Sequence, residues 1–196
     1  MMEAAPIAEP HQPTRASTWV TVGIAIVVLA VGFTFALNAT DAPSHWYAVF
    51  KVIHVGVAIF WIGGGLLLTV LAMRAERAGD PEEITRIARQ AAFAGEKLFA
   101  PAGLVVLAMG ITMVINDHIG FGTTWVIIGL VGYALTFTTG IAVLAPLSRK
   151  VASLSESVGP TAPETQAVIG RLLLVARVDI AVLLLVVGDM LVKPFS

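Results

Sequence analysis

The sequence predicts an all-α, polytopic membrane protein with five transmembrane helices, the last four of which form a bundle. The first observation is composition, because 57% of the 196 residues are hydrophobic and only 13% are charged, about half the charged fraction of a soluble domain. The second is a set of apolar segments, each reaching the roughly 20 residues that cross about 30 Å of hydrocarbon. The third is that polar, turn-forming stretches (NATDAPSH, DHIGFGTT and SVGPTAP) fall between segments.

The chain begins with a polar region that is set apart from the apolar segments. Residues 1–17 are predicted to form a disordered cytoplasmic tail. The segment 18–38 is too long for the core of a signal peptide and lacks a small-residue cleavage site, so it is predicted to be an additional N-terminal transmembrane helix. Residues 45–194 form the predicted four-helix membrane domain. Its segments lie at 45–73, 98–116, 124–147 and 168–192.

A helix is predicted to begin outside the bilayer before the second of these segments. Asp80 is placed as its N-cap, Pro81 takes the first helical position, and Glu83 is placed to complete a capping-box-like arrangement. The residues that follow (ITRIARQAAFAGEKLF) are amphipathic and run into the next apolar segment. We therefore expect an amphipathic cytoplasmic extension at 81–98, with a kink near Pro101.

Positive charge is distributed unevenly between the connecting loops. The first and third loops contain no lysine or arginine, whereas the second and fourth are flanked by Arg74, Arg77, Arg86, Arg89, Lys97, Arg149, Lys150 and Arg171. The positive-inside rule then places the N-terminus and the even-numbered loops in the cytoplasm. The predicted location is a bacterial inner membrane, with the C-terminus periplasmic or extracellular.

Ionisable residues inside the apolar segments are the candidate functional groups. Lys51, His54 and Trp61 are spaced to form one stripe on a helix, with Lys51 about 9 Å and His54 about 13 Å below the outer end. On the last helix Asp189 lies near the outer end and Asp179 about 15 Å further in. Because charges in hydrocarbon need partners, matching depths predict that Lys51 pairs with Asp189 and that His54 meets Asp179.

Two arginines on the last helix also need partners. Arg177 and Asp179 are two positions apart and face different directions, so each must find a group on another helix. Glu96 is the nearest candidate for Arg171 or Arg177. A structural interpretation stays open, in which these pairs fix helix packing and Lys51 extends to the outer surface.

The motif K-x-x-H-x6-W-x-G-G resembles the first-helix signature of the HemJ-type bacterial protoporphyrinogen oxidases. It is carried here by Lys51, His54, Trp61, Gly63 and Gly64. It is also similar to the H-x6-W-x-G pattern of the copper-resistance CopD membrane domain. Over residues 45–194 the chain resembles a family of predicted integral membrane proteins of unknown function related to both, including a last helix that ends in DMLVKP.

The resemblance implies a haem b site, in which the matched residues are Lys51 and His54. A neutral imidazole is a suitable axial ligand, and Asp179 could orient its other ring nitrogen. Trp61 could pack on the porphyrin plane, Lys51 could neutralise a propionate, and Met109 lies at a depth suited to a second axial ligand.

Other functions remain open beside a haem-binding redox protein. Met109 and Met113 lie four positions apart, and with His54 they offer thioether and imidazole ligands suited to copper. The protein could instead be a small-ligand transporter, or a non-catalytic subunit or assembly factor that docks a protein partner at 74–98. The chain has no cysteine, which excludes thiol nucleophiles and iron–sulfur clusters. It has no phosphate loop or nucleophile–base motif, and its net charge of −1 gives no reason to propose nucleic acid.

Overall fold

The computed structural model describes residues 45–194, which are helical apart from short connections and contain no β-strand. Three helices in this part are long and apolar enough to cross a membrane, namely Trp46–Ala78, Pro81–Asn116 and Thr124–Ser157. The all-α membrane architecture is therefore confirmed. The described part contains four long helices and does not establish the predicted count of five, because the tail at 1–17 and the helix at 18–38 lie outside the described residues.

The four long helices are built from six α-helical elements and two π-helical turns. The first long helix is α1 (His45–Ala78), and the last is α6 (Pro163–Val192). The second consists of α2 (Pro81–Ala94), a first π turn (Gly95–Phe99) and α3 (Ala100–Asn116). The third consists of α4 (Thr124–Thr139), a second π turn (Gly140–Leu144) and α5 (Ala145–Ser157). The packing described below is that of residues 50–194.

Helix α2 begins at the position that the sequence predicts, with Asp80 as its N-cap. The backbone N–H of Glu83 donates to the Asp80 carboxylate at 2.9 Å, and Pro81 occupies the first helical position. This bond satisfies one of the amide groups that have no partner inside the helix. The Glu83 side chain forms an ion pair with Arg86 one turn further along. The N-cap prediction is confirmed, but the predicted capping-box-like arrangement does not form, because the backbone N–H of Asp80 donates to the carbonyl of Ala75 and the Glu83 side chain pairs with Arg86.

Both π turns precede a proline and share one sequence pattern. Each begins with glycine and is followed by Ala-Pro, so that the spacing Gly-x4-Ala-Pro occurs at 95–101 and again at 140–146. A proline lacks the N–H that an α-helix needs, and its ring meets the carbonyl four residues earlier. The wider π turn accommodates this conflict. The irregularity expected near Pro101 is therefore a π turn, and sequence reasoning missed its counterpart before Pro146.

The amphipathic extension packs within the chain. Buried side chains of α2 form one core with residues of α1, α5 and α6, namely Ala72, Ala75, Ile84, Ile87, Ala88, Val151, Ile169, Leu172 and Leu173. The hydroxyls of Thr85 and Ser155 add a hydrogen bond of 2.9 Å between α2 and α5. The apolar face of the extension is thus occupied inside this protein. This packing favours the interpretation of residues 81–98 as the end of a membrane helix that extends beyond the hydrocarbon, over their interpretation as a docking surface for a protein partner.

Candidate functional site

A cavity of about 380 Å³ lies between the four long helices. Its wall is mainly apolar, and the ionisable residues on it are Glu96, Arg149 and Asp179. Two of the predicted cofactor-binding residues, Trp61 and Asp179, also line it. The other predicted ligand residues do not line this cavity, and these are Lys51, His54, Met109 and Met113.

Two aromatic residues on the cavity wall, Trp61 and Phe137, belong to a cluster of three rings. The Trp61 ring meets Tyr133 edge-on with centroids 5.7 Å apart and Phe137 at 6.2 Å. Tyr133 and Phe137 stack on each other at 5.3 Å. Since edge-to-face and offset stacked arrangements are the favourable ones, these three rings form a stable cluster. Trp61 is held within that cluster, and its predicted role as a platform for a porphyrin stays a prediction.

Gly103 on α3 allows this cluster to form. A Cβ atom at Gly103 would lie 2.7 Å from the Phe137 ring, so a larger residue would displace that ring. The Tyr133 hydroxyl donates to the Gly103 carbonyl at 3.0 Å. Tyr133 and Phe137 were not predicted as site residues, although their four-residue spacing places them on one face of a helix.

The two π turns lie against each other beside the cavity. Glu96 of the first π turn forms an ion pair with Arg149 of α5, the helix that directly follows the second π turn. The prediction that Glu96 pairs with Arg171 or Arg177 is therefore wrong. Arg177 pairs with Glu76 of α1, and Arg171 is exposed. Matching depths could not identify these partners, because depth does not determine which way each helix face points.

The His54 ring contacts α3. Its Nδ1 atom is 2.8 Å from the carbonyl oxygen of Val106. The group that orients the imidazole is therefore this backbone carbonyl and not the Asp179 carboxylate that the sequence suggested. Gly110 makes this approach feasible, since a Cβ atom there would lie only 3.1 Å from the Cε1 atom of His54.

This contact defines the chemistry of the His54 ring. A carbonyl oxygen can only accept a hydrogen bond, so Nδ1 carries the proton and donates. In the neutral ring Nε2 then keeps a lone pair, which is the arrangement that metal-binding histidines use. Among residues 45–194 there is no group of three or more His, Asp or Glu side chains that could hold a metal ion.

Asp179 and Asp189 differ from the predicted pairings. Within the described part of the chain, Asp179 is half-buried at the cavity, and its carboxylate forms no ion pair or hydrogen bond. Asp189 is buried near Gly129, and neither of its carboxylate oxygens has a hydrogen-bond partner. The predicted Lys51–Asp189 pair is therefore absent, and Lys51 is exposed. The predicted ligand roles of Met109 and Met113 stay predictions.

Four packed helices, three of them long and apolar enough to cross a membrane, define an all-helical integral membrane protein with an interhelical cavity. The chain belongs to a family described as "Predicted integral membrane protein (DUF2269)", whose model matches residues 48–194. No curated protein and no solved structure matches the sequence.

Proposed function

We propose that this integral membrane protein binds a small organic molecule in the cavity between its helices. The observation that supports this function is an apolar cavity of about 380 Å³ on whose wall a few ionisable side chains converge. Small-molecule sites have this composition and commonly fall in the range of about 300–1,000 Å³. Of the functions considered from the sequence, this one is nearest to small-ligand transport.

Filling the cavity tests this function. Gly140 lines the cavity and has open space around the position of a Cβ atom, so Gly140→Leu inserts a side chain there. Gly170→Leu is the matched control, because Gly170 also has open space but does not line the cavity. We expect mass spectrometry of solvent extracts to detect a co-purified molecule with the native chain and with Gly170→Leu, and to lose it with Gly140→Leu. Identical extracts from all three would overturn the proposal.

A second candidate function is haem b binding at His54, as the resemblance to HemJ-type proteins implies. It is favoured by the hydrogen bond from Nδ1 to Val106, which leaves Nε2 available as an axial ligand. Bound haem would supply one-electron redox chemistry. In this proposal His54 holds the iron, Met109 is the second ligand and Lys51 neutralises a propionate. Trp61 would pack on the porphyrin plane, and the carbonyl of Val106 takes the orienting role that the sequence suggested for Asp179.

An absorption spectrum of protein expressed with ample haem tests this second function. We expect a Soret band that His54→Ala removes and that His118→Ala, at an exposed histidine, preserves. A colourless native protein would contradict it.

If the protein binds copper instead, the copper content of the purified protein should fall in His54→Ala, Met109→Leu and Met113→Leu. A non-catalytic subunit or assembly factor predicts co-purification of a larger complex that survives all of these substitutions.

We also propose that the protein lies in a bacterial inner membrane with five spans and a cytoplasmic N-terminus. The support is the basic residues at one end of the helices, where the ion pairs Arg89–Glu156 and Arg149–Glu96 lie. In this arrangement α6 also spans, although it carries Arg177, Asp179 and Asp189. A relationship to the CopD and HemJ-type domains rests on the motif that contains Lys51 and His54.

A further inference from the structure

The charges on the cavity wall do not balance. The lining contains three ionisable residues, and two of them, Glu96 and Arg149, pair with each other. Asp179 is the third, and no ion pair or hydrogen bond links its carboxylate to any residue in the described range 45–194. When Asp179 is ionised, the cavity therefore carries one uncompensated negative charge. A carboxylate away from water strongly favours a cationic partner.

The nearest arginine in sequence does not supply that partner. Arg177 precedes Asp179 by two positions, which places it about 200° around α6 and so on another face. Its guanidinium pairs with Glu76 of α1. Arg149, the one cation on the cavity wall, is held by Glu96. The described part of the protein thus provides no positive group for Asp179.

The remaining surface of the cavity is suited to a hydrophobic body. Trp61, Phe99 and Phe137 contribute aromatic rings, and aliphatic side chains of α2 and α6 line much of the rest. Aromatic faces attract cations electrostatically, and more strongly where water is excluded. Aromatic rings and one unpaired carboxylate therefore favour the same ligand, whereas an anion would be repelled by Asp179.

We propose that the ligand of this cavity is a lipophilic organic cation, held by Asp179 through its charge and by the aromatic rings through its apolar body. The assignment rests on the proposed function, because it names the class of molecule that occupies the same cavity.

Two ions of the same shape and opposite charge test the assignment. Tetraphenylphosphonium and tetraphenylborate each carry four phenyl groups, and equilibrium dialysis against the full chain in neutral detergent measures the affinity of each. Because the two ions partition differently into detergent, each affinity is compared between variants. We expect Asp179→Asn to weaken phosphonium binding by about tenfold or more and not to weaken borate binding. Asp189→Asn is the control, since that carboxylate does not line the cavity.

A second variant changes the cavity charge in the opposite direction. Arg149→Gln leaves Glu96 without its partner and adds negative charge to the wall, so phosphonium should bind more tightly. This variant keeps the proposal falsifiable if Asp179→Asn fails to fold. Phosphonium affinity that neither Asp179→Asn nor Arg149→Gln changes would overturn the cation assignment while leaving the cavity as a binding site. Failure of phosphonium, borate and neutral triphenylphosphine to bind at all would overturn the proposed function as well.

Discussion

The Nδ1 atom of His54 lies 2.8 Å from the carbonyl oxygen of Val106, one turn before Gly110 on α3. The absence of a side chain at Gly110 lets the imidazole approach the backbone so closely. A histidine in the middle of an apolar helix is thereby hydrogen-bonded without a carboxylate. The pair connects α1 to α3 and holds the ring in one orientation.

Gly110→Ala is expected to weaken this contact. The new Cβ atom would lie 3.1 Å from Cε1 of His54, so the ring must move and its hydrogen bond lengthens. The free energy of unfolding in detergent should fall by about 1 kcal/mol, the typical net value of one hydrogen bond. Gly56→Ala is the matched control on α1, because its Cβ position is open. Equal stabilities of the two variants would show that Gly110 does not position the ring.

Gly103→Ala is expected to disrupt the aromatic cluster. Its Cβ atom would lie 2.7 Å from the Phe137 ring, which is stacked on Tyr133 and has little freedom to move. Such overpacking lowers the free energy of unfolding by about 1–3 kcal/mol. Thermal unfolding measures the loss, and Phe137→Leu in the same chain should restore part of it. Gly63→Ala, at an open position, serves as the control. A Gly103→Ala protein as stable as that control would contradict the described packing.

Asp189→Leu is expected to stabilise the protein. Both carboxylate oxygens of Asp189 are buried without a hydrogen-bond partner in the described part of the chain. Burying an unsatisfied polar group costs about 1–3 kcal/mol, and leucine of similar size removes that cost. The midpoint of thermal unfolding should therefore rise. Glu164→Leu, at an exposed carboxylate, should not raise it. A lower midpoint for Asp189→Leu would mean that this carboxylate stabilises the fold.

Cysteine labelling tests the predicted orientation, because the native chain contains no cysteine. We expect Phe121→Cys, in the loop between α3 and α4, to react with a membrane-impermeant maleimide on intact cells. Glu82→Cys and Glu164→Cys should react only after the cells are permeabilised, since they begin the helices at the basic end. Labelling of the reverse set on intact cells would invert the topology.

Local sequence signals predicted the helices well. The apolar segment 124–147 and the capping residues Asp80 and Pro81 correspond closely to helices in the structure. These features depend on neighbouring residues, so they can be inferred without knowing the tertiary fold. An irregularity near Pro101 was predicted and the π turn before Pro146 was not, although the spacing Gly-x4-Ala-Pro occurs at both places.

The contacts between helices were predicted less well. Depth along a helix follows from counting residues, and it suggested that Asp179 meets His54. The rotation of each helix about its axis does not follow from counting, and it directs His54 to the backbone of α3 instead. The cavity was missed for the same reason. It is formed by small gaps between all four long helices, and no single segment of sequence records it.

The first π turn also has a consequence for helix phase. A π turn accommodates one residue more than the α-helical turn it replaces, so each residue after it lies about 100° from the face that the spacing of an unbroken α-helix would predict. Upstream of the insertion, Ile84 and Ile87 face the core shared with α5 and α6. Downstream, Val106 faces His54. Deleting one residue from Gly95–Phe99 would replace the π turn by an α-helical turn and leave the two halves in their present orientations, so both the core around Ile84 and Ile87 and the contact of Val106 with His54 should persist.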